Sequence, residues 1–118
     1  MEYMLLLYER ESDWQALSED EKGAIMREYF ALSDSIRQSG HYRAGNPLHP
    51  TTAATTVRVR EGKTLTTDGP FAETREQLGG YYLIDAKDLD EAIAIAARVP
   101  GARTGSVEIR PILRLPPK

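Results

Sequence analysis

The apolar residues Tyr3-Met4-Leu5-Leu6-Leu7-Tyr8 run without a polar interruption. Side chains alternate across a strand, so Tyr3, Leu5 and Leu7 share one face while Met4, Leu6 and Tyr8 share the other. Both faces are apolar, which predicts a central strand needing cover on two sides. After a polar stretch containing Trp14, Ser18 stands three residues before Glu21 at capping-box spacing. Apolar residues then recur at Ile25, Met26, Tyr29, Phe30, Leu32 and Ile36, an amphipathic helix that should stop near Gly40. From His41 to Thr56 the chain is rich in Gly, Pro, Asn and Thr with little periodicity, which predicts a loop holding one short irregular strand.

Val57 and Val59 alternate with Arg58 and Arg60, and Glu61-Gly62 leads into Lys63-Thr64-Leu65-Thr66, the pattern of a β-hairpin with a polar face. Tyr81 to Ala86 predicts a second strand apolar on both sides, with Tyr82 and Ile84 on one face and Tyr81 and Leu83 on the other. Asp88 and Glu91 open a second helix carrying Leu89, Ala92, Ile93, Ala96 and Val99, and Pro100-Gly101 stops it. Val107 and Ile109 mark a last strand. Taken together, residues 1–118 predict a single α+β domain, a ferredoxin-like βαββαβ unit with an added β-hairpin and both helices on one face of the sheet. The other face of the two central strands is then uncovered, and a second copy of the chain is the simplest cover, so a homodimer is expected.

The balance of 15 Lys+Arg against 18 Asp+Glu gives a net charge of −3, and the basic residues are scattered, which argues against a nucleic-acid surface. The absence of cysteine excludes a disulfide framework, a zinc-thiolate site and a thiol nucleophile. The opening apolar run is too short for a membrane span or a signal-peptide core, so a cytoplasmic protein without membrane attachment is expected. His41 and His49 lie eight residues apart in a predicted loop, which is not metal-ligand spacing; they are read as solvent-facing, and neither metal nor organic cofactor is expected.

The densest run of candidate chemistry is Asp68 to Tyr82, DGPFAETREQLGGYY. Asp68-Gly69-Pro70 is turn chemistry: Asp bonds the backbone ahead of it, Gly takes positive φ, and Pro fixes its own. Asp68 is also the candidate catalytic residue, a general acid or base if a cleft raises its pKa. Glu73, Arg75 and Glu76 have spacings that satisfy one another on a helical turn, although Arg75 could instead hold a carboxylate or phosphate ligand by paired hydrogen bonds. Gly79 and Gly80 join Gly69 and Pro70 as structural turn residues. They form no dinucleotide fingerprint, because a strand rather than a helix follows. With Tyr29, Phe71, Arg75 and Tyr82 as candidate ligand contacts, the expected site is a small-molecule cleft.

The same run, together with YMLLLY, TTVRVR and GSVEIRP, resembles the DGPF group of the YCII-related family, small bacterial α+β proteins. The resemblance spans nearly the whole chain. It implies a dimeric α/β barrel, in which two sheets meet face to face, and association with extracytoplasmic-function sigma factors. Enzyme-like members carry a helix histidine paired with a distant aspartate, and alignment by the helix end places Tyr29 close to that position. A tyrosine, with an ordinary pKa of about 10, is not a base near neutral pH. Two functions are therefore compatible with the sequence: a non-catalytic binding or regulatory dimer, and a small-molecule enzyme of proton-transfer, lyase or isomerase type using Asp68.

Overall fold

The computed structural model describes residues 1–117. Strand β1 (Glu2–Glu9) leads through a short helix α1 (Glu11–Gln15) into the long helix α2 (Glu19–Gln38). Ser18 caps α2 as its spacing predicts: its hydroxyl accepts from the Glu21 N–H, and the Glu21 carboxylate accepts from the Ser18 N–H. The Ser18 N–H first, and then the Ser18 side chain, holds the Glu21 carboxyl below its usual range. Gly40, at φ 83°, ends the helix in the left-handed region that its lack of a Cβ makes cheap.

The chain returns as β2 (Tyr42–Pro47), forms the hairpin β3 (Thr55–Arg60) and β4 (Lys63–Asp68), then crosses the sheet as β5 (Gln77–Asp85). Helix α3 (Leu89–Ala96) and strand β6 (Ser106–Pro111) complete it. The main sheet runs β2-β5-β1-β6, antiparallel throughout, which is the ferredoxin-like order. The segment expected to be mostly loop thus supplies a full edge strand. It pairs with β5 through Gly45 opposite Tyr82, despite a composition that favours turns.

Tyr3 and Leu5 of β1 and Tyr82 and Ile84 of β5 point toward the helices. They close a core with Leu32 and Ile36 of α2, Ala92, Ile95 and Ala96 of α3, and Val99. On the opposite face Met4 stands beside Leu83 and Leu6 beside Tyr81, all half-buried, with no helix over them. The chain is 19 Å through its thinnest direction, room for one sheet and one layer of helix. Among the described residues no helix is long and apolar enough to cross a membrane.

The hairpin is a sheet of its own: β3 and β4 pair only with each other. Glu61 and Gly62 at its tip have φ of 52° and 74°, the double positive-φ geometry of a tight two-residue turn. Val57 and Val59 remain 59% and 60% exposed. This ribbon projects as an arm rather than joining the core.

Candidate functional site

Between α2 and the sheet, beyond the packed core, lies a cavity of about 480 Å³. Its position follows from the helix repeat. Leu32 and Ile36 form the stripe that packs down, whereas Met26, Tyr29, Phe30, Ser33 and Arg37 occupy the neighbouring stripe, at three- and four-residue spacing, and overhang the sheet. The floor is Leu7 of β1 with Gly80 and Tyr82 of β5. Pro47 to Pro50 and Trp14 of α1 form the rim.

Glycines let the floor close up. A Cβ on Gly45 would stand 2.7 Å from the Tyr82 ring, so the tyrosine packs against bare backbone. Gly79 and Gly80 sit inside β5 rather than at the expected turn. The register slips there between Leu7 and Tyr8, and Gly80 passes so close to β2 that a Cβ would come within 3.0 Å of the Asn46 carbonyl oxygen. The paired glycines are therefore a bulge and a close approach.

Polar groups meet this aromatic wall at a few points. Ser33 Oγ and Tyr82 Oη share a hydrogen bond of 3.0 Å. Arg37 lies over the Tyr42 ring, 4.3 Å from its centroid, and Tyr42 meets Tyr82 edge to face. At the other end the Gly101 N–H donates to Tyr29 Oη at 3.1 Å. Burial is the main cause that pushes the Tyr29 phenol up to about 12, which leaves it a neutral hydrogen-bonding group at any working pH. A second cavity of about 80 Å³ adjoins the first, and Glu9, Trp14, Tyr29 and Gly101 border both.

The two carboxylates of the site differ. Glu11 is occupied: Thr51 donates to it from its N–H at 2.7 Å and from its hydroxyl at 2.8 Å, pinning the loop after β2. Glu9 accepts no hydrogen bond among the described residues. Burial first, then like charge from Asp13 and Glu76, raises its carboxyl above the usual range.

Of the residues expected at the site, Tyr29 and Tyr82 line this cavity, while Asp68, Phe71 and Arg75 do not. Asp68 ends β4 with its side chain exposed and no side-chain hydrogen bond among the described residues. The turn after it forms through backbone instead: Gly69, at φ 100°, donates its N–H to the Ala54 carbonyl and accepts from the Thr56 hydroxyl. Phe71 is 78% exposed. Arg75 is exposed too, and residues 71–76 form bends rather than the helical turn that the Glu-Arg-Glu spacing suggested. Extended backbone with Pro70 at its head cannot place those charges one above another.

The sequence pattern missed Glu9, Ser33, Arg37 and Tyr42. A signal for two of them existed, since Ser33 and Arg37 continue the four-residue stripe from Tyr29 with polar residues. His41, read as solvent-facing, is instead a brace: Nδ1 lies 2.6 Å from Ser39 Oγ and Nε2 lies 2.9 Å from Glu91 Oε1. The serine hydroxyl also reaches the Ile36 carbonyl, an acceptor only, so it serves as a helix-end cap and not as an activated nucleophile. His49 stands at the cavity rim. Among the described residues no three His, Asp or Glu side chains gather to hold a metal ion.

Comparison with known proteins fits the architecture. Residues 1–116 match the YCII-related domain. An uncharacterized protein of Rhizobium meliloti (strain 1021) is 44% identical over 114 residues, covering 95% of this chain and 92% of that protein. With the domain match running from the first strand through the last and a relative of nearly the same length, the chain belongs to the YCII-related family.

Proposed function

We propose that this YCII-related protein is a homodimeric small-molecule-binding module of the DGPF type whose ligand enters the cavity between α2 and the sheet. The observation that carries this reading is the cavity itself. A hollow of about 480 Å³ walled by Tyr29, Phe30, Tyr42 and Tyr82, with a few convergent polar groups, has the size and lining of ligand pockets. Phe30 at its mouth is 63% exposed, an apolar side chain that a bound ligand would cover. The groups nearest the floor, the Tyr29 phenol and the Ser33–Tyr82 pair, favour recognition over proton transfer. The open sheet face, with Met4, Leu6 and Leu83 uncovered, supports the second copy. The short opening apolar run supports a cytoplasmic setting, and the sequence resemblance supports a regulatory one beside an extracytoplasmic-function sigma factor.

Saturation-transfer NMR with a library of aromatic fragments tests the reading. Hits should bind the wild-type protein and the Asp68→Asn variant alike and be lost in Phe30→Asp, which puts a charge at the cavity mouth without touching the core. Hits indifferent to Phe30→Asp would move the site elsewhere. For the dimer, sedimentation at low micromolar concentration should give twice the chain mass, and a folded monomer would refute it.

A further inference from the structure

The inner end of the cavity has a chemistry different from its mouth. Glu9 ends β1 where the two cavities join, with Gly101 beside it. A Cβ built on Gly101 would stand 2.8 Å from Tyr29 Oη and 3.9 Å from Glu9 Oε2, so the phenol and the carboxylate converge on the same spot of bare backbone. The indole of Trp14 borders that junction as well. The Tyr29 oxygen already accepts from the Gly101 N–H, and each oxygen of Glu11 nearby already accepts a bond from Thr51. Of the two carboxylates on the larger cavity, Glu9 is thus the one with no hydrogen-bond donor or cation on it among the described residues, while Asp13 and the Glu28-paired Arg103 line the smaller cavity beside it.

We propose that the cavity takes an amine: an elongated molecule whose ammonium group pairs with Glu9 beside Tyr29 and Trp14, and whose apolar or aromatic body lies along α2 over Tyr82 toward Phe30. This deepens the binding reading above and rests on it. A carboxylate flanked by aromatic rings is a general solution for an ammonium group, which gains an ion pair and ring-face attraction together. Tyr29 and Arg37 are eight residues apart on α2, about 12 Å at 1.5 Å per residue, so the run from the acidic end to the guanidinium suits a chain of several carbons and a ring. Burial first, and then the like charges of Asp13 and Glu76, hinders ionisation of Glu9, and an arriving cation would offset those like charges. Amine binding should therefore weaken as pH falls through the raised Glu9 pKa and the carboxylate protonates.

The test is a calorimetric titration with two molecules of one shape, 4-phenylbutylamine and 4-phenylbutan-1-ol, against wild type and Glu9→Gln. The amine should bind wild type at least about tenfold more tightly than the alcohol, the worth of about 1.4 kcal/mol. Glu9→Gln should abolish that difference while leaving alcohol binding unchanged. Equal binding of the two by wild type, or an amine preference that survives Glu9→Gln, overturns the proposal while the cavity reading stands. If neither molecule binds, the cavity reading falls and the amine with it. Circular dichroism of Glu9→Gln checks that the fold is kept, and retained alcohol binding reports the same thing at the site.

Discussion

The cavity under α2 and the arm formed by β3, β4 and the turn at Asp68 carry opposite kinds of information. The arm holds the most recognisable letters of the chain, yet its valines and Phe71 are exposed and its strands pair only with each other. Of the run from Asp68 to Tyr82 the cavity takes the end, Gly79 to Tyr82, and none of the Asp-Gly-Pro-Phe letters. It is assembled from Glu9 on β1, a stripe of α2, Gly45 on β2 and Tyr82 on β5, which meet only after folding. Recognisability in one dimension and concave chemistry in three are thus separate properties. A turn such as Asp68-Gly69-Pro70 is legible because its backbone needs are local, whereas a pocket is a product of register and helix phase.

The largest expected effect contrasts packing in the two regions. Ile36→Ala removes a fully buried side chain behind the cavity and should cost about 3 kcal/mol by urea unfolding. Val59→Ala in the arm should stay within about 0.5 kcal/mol, as exposed substitutions do. Comparable losses would break the contrast and place the arm in an interface with a second copy.

Next comes Gly45→Ala. Its methyl would need the space of the Tyr82 ring and lies 3.2 Å from the Tyr81 carbonyl oxygen, so about 1–3 kcal/mol of overpacking is expected, together with a displaced cavity floor. The loss would be read in the same unfolding experiment, and an unchanged midpoint would mean that the ring swings aside freely.

Glu9→Gln should act in the opposite direction. Because burial raises the Glu9 pKa in the folded chain, its ionised form opposes folding above that pKa, and the penalty fades as pH falls toward the unfolded value. The glutamine variant should therefore melt higher than wild type at pH 7, with the difference closing in acid. A lower melting temperature at pH 7 would show that Glu9 has a stabilising partner. A carboxylate held at a cost to stability fits a binding role.

Asp68→Asn should change least, within about 0.5 kcal/mol, since among the described residues no side-chain bond holds the aspartate and the turn forms through Gly69 and Thr56. A hundredfold loss of a measured turnover with stability intact would restore the catalytic role expected of Asp68.

Much of the fold was legible because its determinants are periodic or local. The two-sided apolar runs at Tyr3 to Tyr8 and Tyr81 to Ile84 gave the central pair, and Ser18 with Glu21 fixed the start of α2. The edge strand Tyr42–Pro47 was harder to see, because an edge needs few apolar residues and Gly45 is there for the Tyr82 ring, not for strand propensity. Gly79-Gly80 read as a turn for the same reason: glycine signals backbone freedom or close approach, and only the neighbouring strand decides which. At the site, Tyr29 and Tyr82 were within reach of the pattern. Glu9 was not, since a charge closing an apolar strand looks like an ordinary strand end until Gly101 is brought opposite it by α3 and the turn that follows.

The most direct test of where this protein binds is amide chemical-shift mapping of the labelled full chain during titration with 4-phenylbutylamine. Shifts should be concentrated at Glu9, Tyr29, Ser33, Gly45, Tyr82 and Gly101, with the arm unmoved. Shifts confined to Thr67 through Arg75, with the α2 stripe silent, would contradict this placement and return the site to the turn at Asp68.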